Sequence, residues 1–293
     1  TAHSCGRVVP ARGARVTLLH ARHVRASRRR TKTDSNDCDA ILEAVRCQGI
    51  HPVPVKTHEQ QQVQQLHGLR ETWKKSRTQR INLLRGILRE AGIEAPTGTL
   101  AFIRAASELV DRPELAPLSH QLHIVLAEIN LYEQCMAECE QQLKRWHAED
   151  EIVRKLDEVS GIGVLTATAL KAAVGQPERF ASGRHLSAWL GMTPREYSSG
   201  NSRKLGHISR QGNVYLRTLL IHGARAALLA AQRCQAKTPE RMTALQRWAT
   251  QTAARIGHNK AAVALANKMV RICWSVWCHE RRFSGNWQST LPV

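Results

Sequence analysis

The sequence predicts a mainly α-helical protein: a partial α/β domain first, then long coiled-coil helices, then a helical domain with a helix-hairpin-helix-like element. Three observations predict it. Two long stretches, residues 59–92 and 117–148, repeat apolar residues at helical spacing. Extended signals cluster before residue 57. From residue 152 onward, helical patterns alternate with glycine-marked loops. The expected divisions are 1–56 for the partial domain, 57–150 for the arm, 151–280 for the helical domain and 281–293 for a tail.

Each element has its own reason. Arg15-Val-Thr-Leu-Leu-His20 reads as one short strand, ahead of a basic stretch from His23 to Lys32. Asp34 to Asp37 leads into a helix over residues 40–46, with Ile41, Leu42 and Val45 on one face and an Asp or Ser as N-cap. Val53-Pro-Val-Lys56 is extended, because proline bars a helix there. From Glu59 to Gly92, Leu66, Leu69, Trp73, Ile81, Leu84 and Leu88 recur along one helix, with many cations between them. Gly92 and then Pro96 stop it. Pro117 to Ala148 repeats the pattern with Leu122, Val125, Ile129 and Tyr132. Two long helices and a loop make either an antiparallel coiled-coil arm or a pair of core helices. Helices follow over residues 214–231 and 255–279, and the tail from Arg281 is expected to fray.

Composition narrows the class of function. Forty-three Lys and Arg against 24 Asp and Glu give a net charge of +19 and a pI near 10.3. Such a field draws in polyanions, and each phosphate neutralised releases condensed counterions, so nucleic acid is the expected partner. Hydrophobic content of 42% supports real cores and excludes a disordered basic tail. The sequence has no run of about 18 apolar residues, so no membrane span and no membrane partner are expected. Eight cysteines without a C-x-x-C pair point to buried thiols in a reduced, cytoplasmic compartment, not to zinc ribbons.

Three constellations can carry chemistry. In the first, Gly161-Ile-Gly163 joins two apolar helices. Glycines there suit either a tight turn or a hairpin that lets backbone approach a phosphate beside a helix N-terminus. In the second, Asp34 and Asp37 stand three apart at a helix start, with Cβ atoms about 5–6 Å apart. They are either capping acids or a pair able to share Mg²⁺. Asp39 falls on another face. In the third, the segment Leu190 to Arg217 places serines beside Arg203, Lys204, Arg210 and Arg217. It is either a polar turn or a hydroxyl nucleophile with cations to orient and stabilise a scissile phosphate. Lys74, Lys75 and Arg77 on the first long helix add a further candidate nucleic-acid surface.

Taken in order, the motifs carry a resemblance. They are Lys32-Thr-Asp-Ser-Asn-Asp-Cys-Asp-Ala40, Arg80-Ile-Asn-Leu-Leu-Arg-Gly86, Val159-Ser-Gly-Ile-Gly163, Leu190-Gly-Met-Thr-Pro194, Tyr197-Ser-Ser-Gly200, Gly206-His-Ile-Ser-Arg-Gln-Gly-Asn213 and Asn259-Lys-Ala-Ala-Val-Ala-Leu-Ala-Asn-Lys268. The chain resembles the Piv/MooV-type insertion-sequence transposases, which pair a RuvC-like (RNase H-like) acidic domain with a C-terminal serine domain. Each motif alone is weak; the ordered set, running to about Trp277, is specific. The resemblance implies a tetrad of three aspartates and a glutamate that binds Mg²⁺. Asp34 and Asp37 match its last two members. The resemblance implies that the first Asp and the Glu lie upstream of Thr1, so an N-terminally truncated chain is expected. Ser199 matches the nucleophilic serine, with Ser198 as the fallback.

The family's members are similar to RNA-guided recombinases, so the resemblance implies DNA and a non-coding guide RNA as partners. It also implies self-association as a dimer or tetramer and a bacterial, nucleoid-associated location. The competing readings are a catalytically inactive nucleic-acid-binding remnant and an RNA-packaging protein.

Overall fold

The computed structural model describes residues 2–28 and 31–286 and divides into two compact units, residues 1–62 and 63–293. Residues 287–293 of the expected tail, and Arg29 and Arg30 of the basic stretch, lie outside the described residues.

The smaller unit holds α1 (Ala2–Val8), α2 (Ala21–Ser27) and α3 (Asp34–Arg46). The strand expected at Arg15–His20 contributes one antiparallel bridge, Leu18 to Val53, closed by Val53 N–H donating to Leu18 O at 2.7 Å. The bridge is isolated and does not extend into a ladder among the described residues, and Pro52 and Pro54, which lack an N–H, leave the opposite edge of this segment without donors at those positions. The α/β expectation therefore reduces to helices plus one bridged pair of extended segments. Helix α1 packs on the second segment. Gly6 lies so close to Val55 that an added Cβ would stand 2.8 Å from Cγ2, and Arg7 donates to Lys56 O at 2.7 Å.

Helix α3 corrects the predicted face. Ile41, Leu42 and Val45 are 46%, 55% and 52% exposed, while Ala40 and Ala44 are buried. Helix α2 packs against α3, and two alanines let the backbones approach closely where larger side chains would hold them apart.

The long helices form as expected. Helix α4 is His58–Glu90 and α6 is Ser119–Glu149. Ion pairs Arg70–Glu140, Arg77–Glu133 and Arg80–Glu128 join them, and the falling partner number fixes an antiparallel arrangement. Ile81, Leu84 and Leu88 pack with Leu122 and Ile129 toward one end, and Val63 packs with Leu143 at the other. Leu69 is 47% exposed and stands outside this seam. The α4 stop is a Schellman turn: Gly92 (φ +71°) donates to Arg89 O, and Ile93 donates to Leu88 O at 2.8 Å.

Between the long helices lies α5 (Thr99–Val110), which sequence reading left as loop. It starts at Gly98 without a side-chain cap, so its N-terminal signal is weak. Its Phe102, Ala106 and Val110 are buried in the arm's core.

The remaining helices are α7 (Glu151–Asp157), α8 (Val164–Val174), α9 (Gly183–Trp189), α10 (Val214–Lys237), α11 (Ala244–Ile256) and α12 (His258–Cys278). Their core is one cluster centred on α10 and α12. Along α10 the stripe Leu216, Leu220, Ala224, Leu228 and Ala231 is buried. Contrary to the sequence reading, α10 is long and apolar enough to cross a bilayer by composition, but this stripe packs in the core. The tail does not fray over Arg281–Asn286. Gly285 O accepts from Leu245 N–H, Asn286 Oδ1 accepts from Ala244 N–H, and Phe283 packs on the core. All eight cysteines are free; Cys139 and Cys273 are buried, whereas Cys5, Cys38 and Cys47 are exposed, against the expectation of buried thiols.

Candidate functional site

The serine segment is a β-hairpin on a rigid base. Strand β1 (Pro194–Glu196) pairs antiparallel with β2 (Leu205–Ile208). Tyr197 N–H donates to Lys204 O at 2.8 Å, and Ser199 and Ser202 exchange backbone bonds of 3.2 and 3.1 Å. The turn between them uses Gly200 at φ +54°, a conformation that favours glycine in two-residue hairpin loops. Sequence chemistry thus puts Ser199 at the mouth of the turn, exposed to solvent.

The base is bolted to the helical core by close backbone approach. A Cβ on Gly191 would fall 2.0 Å from Gln211 O, and one on Gly212 would fall 2.1 Å from Trp189 O. Arg217 is buried, and its Nη1 donates to Leu190 O at 3.0 Å and Gln211 O at 2.8 Å. Burial, and then the charge of Arg210, lower its pKa. Arg217 is therefore a clamp on two carbonyls and is not displayed to a phosphate, which corrects its expected role. Arg217→Met should cost about 2 kcal/mol, because two carbonyls lose charge-assisted bonds while a buried charge is relieved. Urea titration of the purified chain measures this, and an unchanged midpoint would remove the clamp from the account.

The two serines differ in occupation. Ser198 Oγ donates to Glu196 Oε1 at 2.7 Å and accepts from Lys204 N–H at 3.2 Å. The Ser199 hydroxyl has no hydrogen-bond partner among the described residues. Around them, Arg203 pairs with Glu196 at 3.4 Å with its side chain 75% exposed. Lys204 and Arg210 are exposed. Arg210 holds φ +55° while its N–H donates to Gly191 O at 3.1 Å. Arg195, which sequence reasoning passed over, donates to Ser209 O at 3.2 Å.

The other predicted residues lie on other elements of the chain. Gly161 (φ +87°) and Gly163 lie in the turn between α7 and α8. Gly161 is pressed against Gly223 of α10, where an added Cβ would meet Gly223 O at 2.7 Å, whereas Gly163 faces open space. On α4, Lys74 and Lys75 are exposed, but Arg77 is committed to Glu133 and only 17% exposed, so it braces the arm instead of offering a free cation.

Asp34 and Asp37 occupy the first turn of α3 in the smaller unit, and Asp37 pairs with Arg28 at 3.1 Å. The N-cap is Thr33, whose hydroxyl accepts from Asn36 N–H, so neither acid is used as the cap. Among the described residues, no group of three or more His, Cys, Asp or Glu converges as a metal site. Two carboxylates on one helical turn still suit a hard ion whose remaining ligands are water and phosphate.

Sequence reasoning missed one buried polar cluster. His67 of α4, 4% exposed, meets Tyr215 Oη through Nδ1 at 2.9 Å and Thr168 Oγ1 through Nε2 at 3.0 Å. Thr168 Oγ1 donates to Val164 O at 2.7 Å, so it accepts from His67, and Nδ1 is left to accept from Tyr215. Burial, aided by Arg70, lowers the His67 pKa to about 4. The available signal was its spacing: His67 falls four after Val63 on the buried stripe of α4.

Known proteins resemble this chain along almost all its length. A family model described as Transposase IS116/IS110/IS902 family matches residues 153–239, and a second transposase model, of an IS110 DEDD type, matches residues 7–93. The chain is 36% identical over 284 residues to a probable family 20 transposase of Pseudomonas aeruginosa, covering 96% of this chain and 82% of that protein. It is 36% identical over 277 residues to the transposase for insertion sequence element IS1111A of Coxiella burnetii, with 92% and 73% covered. It is 33% identical over 285 residues to the transposase for insertion sequence element IS1328 of Yersinia enterocolitica, with 97% and 83% covered. The chain belongs to the IS110/IS116/IS902 family of insertion-sequence transposases.

Proposed function

We propose that this transposase cuts and joins DNA through Ser199, with Asp34 and Asp37 as part of a Mg²⁺-binding acidic site. The observation that carries it is an exposed, unpartnered hydroxyl at the turn of a rigid hairpin, with Arg203, Lys204 and Arg210 exposed along the same segment. In the proposed step, Ser199 Oγ attacks the phosphorus of a phosphodiester. The Oγ–P bond forms as the bond from phosphorus to the deoxyribose oxygen breaks. That oxygen leaves with the electron pair and takes up a proton, while the Oγ proton passes to solvent. The energy of the phosphoester is kept for rejoining. Exposed cations stabilise charge on the equatorial oxygens. Asp34 and Asp37 would hold Mg²⁺ within the smaller unit, and the ion would supply Lewis-acid chemistry toward phosphate there.

Ser199 is preferred to Ser198 because the Ser198 hydroxyl is already used on both sides within the hairpin. Ser199→Ala should abolish a covalent protein–DNA adduct on denaturing gels and leave the fold intact. An adduct that survives in Ser199→Ala and vanishes in Ser198→Ala moves the nucleophile by one residue. Loss of an adduct from neither variant removes the serine mechanism.

The wider reading follows the resemblance. The smaller unit corresponds to part of a RuvC-like domain whose tetrad needs two further acids, and the IS110 DEDD-type match over residues 7–93 supports that assignment. The turn at Gly161–Gly163 serves as a helix-hairpin-helix-like grip on DNA. A transposon-encoded guide RNA and a homo-oligomer complete the assembly in the bacterial cytoplasm. Leu69, Leu83, Ile124 and Leu131, left exposed on the arm, support self-association there. The second reading, an inactive nucleic-acid-binding remnant, draws on the lack of a third metal-ligating group beside Asp34 and Asp37 among the described residues. Both readings require salt-sensitive binding: affinity for duplex DNA should fall with a log-log slope of about −0.9 per phosphate contacted. A flat response in a fluorescence titration would contradict both.

A further inference from the structure

From Tyr197 to His279 the chain carries thirteen Lys and Arg and a single carboxylate, Glu240. Helices α10, α11 and α12 contain no acid at all. Between α10, α11 and the start of α12 lies a groove of about 400 Å³, lined by Gln232, Gln235, Thr250, Gln251 and His258, with alanines of α11 between them. Its volume is that of a small-ligand site, too narrow for a duplex.

The amides in this groove are unspent. Gln232 is half-buried and Gln235 and Gln251 are exposed, and none of the three amides has a hydrogen-bond partner among the described residues. Thr250 Oγ1 is satisfied by donating to Arg247 O at 3.1 Å. Cations flank the amides by helical register. Arg225 stands two turns before Gln232 on α10, and Arg255 stands one turn after Gln251 on α11. Arg225 also reaches Asn259 Oδ1, beside His258, at 3.5 Å.

Amides and cations suit different parts of one ligand. A glutamine amide offers a donor and an acceptor side by side, which match a base edge, whereas guanidinium groups match phosphates. A duplex keeps its bases paired and stacked; an unpaired strand can turn one base outward into a small polar groove. We propose that the α10–α11 groove is a nucleic-acid site distinct from the serine hairpin. It takes one unpaired nucleotide of a single strand: Gln232 and Gln251 bond the base edge, and Arg225 and Arg255 hold the flanking phosphates.

The test uses the full chain and a labelled single-stranded oligonucleotide of mixed sequence, made as RNA and as DNA, with the matching DNA duplex as comparison. Gln232→Ala with Gln251→Ala should weaken single-strand binding about tenfold at every salt concentration and leave duplex binding unchanged. Arg225→Glu with Arg255→Glu should flatten the single-strand salt slope by about 1.4, which is 0.7 for each phosphate lost. Equal losses on RNA and DNA assign the contact to the base; a loss on RNA alone assigns it to the 2′-hydroxyl. Single-strand affinity unchanged in the amide variant, or a duplex affinity that falls equally, overturns the site. Adduct formation through Ser199 is scored separately on the same variants, so failure of the hairpin mechanism and failure of the groove are told apart.

Discussion

Gly223→Ala is expected to destabilise the larger unit by about 3 kcal/mol, the upper range for forcing atoms into a packed core. The added Cβ would stand 1.9 Å from Gly161 O and 3.0 Å from its carbonyl carbon, both backbone atoms. Neither side can yield cheaply. Helix α10 is fixed by its buried stripe against α12, and Gly161 is held at φ +87° in a turn whose neighbours Val159 and Ile162 are buried. Gly163→Ala is the control: nothing lies within 4 Å of its added Cβ, and its φ of −111° is open to any residue. Urea midpoints should therefore separate the two variants widely, with equal slopes. If both are mild, the contact between the turn and α10 does not limit stability. The comparison also bears on the helix-hairpin-helix reading, since only Gly163 has the room to let a phosphate approach.

The second large effect is a pH dependence set by His67. Its folded pKa is about 4 against an ordinary 6.5, because burial disfavours the imidazolium and the Arg70 charge adds to this. As pH falls, the unfolded chain takes up the proton first. The stabilising term is therefore fully present above about 6.5, shrinks as pH falls toward 4, and is absent below that. The difference corresponds to about 3 kcal/mol. Comparing wild type with His67→Gln removes other titrations that the two share. The stability difference between them should shrink as pH falls through this window; parallel profiles would mean that His67 is not held neutral. Because His67 ties α4 to Tyr215 at the start of α10 and to Thr168 of α8, its protonation should also loosen the arm's root.

The legible parts of this fold were those governed by local periodicity. The two long helices were readable because apolar spacing and the Gly92 stop are local signals. Helix α5 was not, because a glycine N-cap leaves little mark. The inverted face of α3 illustrates a deeper limit: apolar periodicity shows that a helix is amphipathic, but close contact with α2 selected alanines instead.

At the site, the hairpin turn was readable from Ser-Ser-Gly-Asn-Ser chemistry, and Ser199 is exposed at it. What could not be read was the use of each cation. Arg203 and Arg217 look alike in sequence, yet one is displayed and the other is buried on two carbonyls. Arg77 was likewise absorbed by Glu133, a partner 56 residues away. Such partners depend on tertiary contact, and no local pattern encodes them.

The most direct measurement is the site of attachment itself. After reaction with DNA, nuclease trimming and trypsin digestion, mass spectrometry should find a nucleotide joined to the peptide Glu196–Arg203, with fragmentation placing it on Ser199. A nucleotide on any other residue, or joined strands recovered with that peptide always unmodified, would contradict the proposed mechanism.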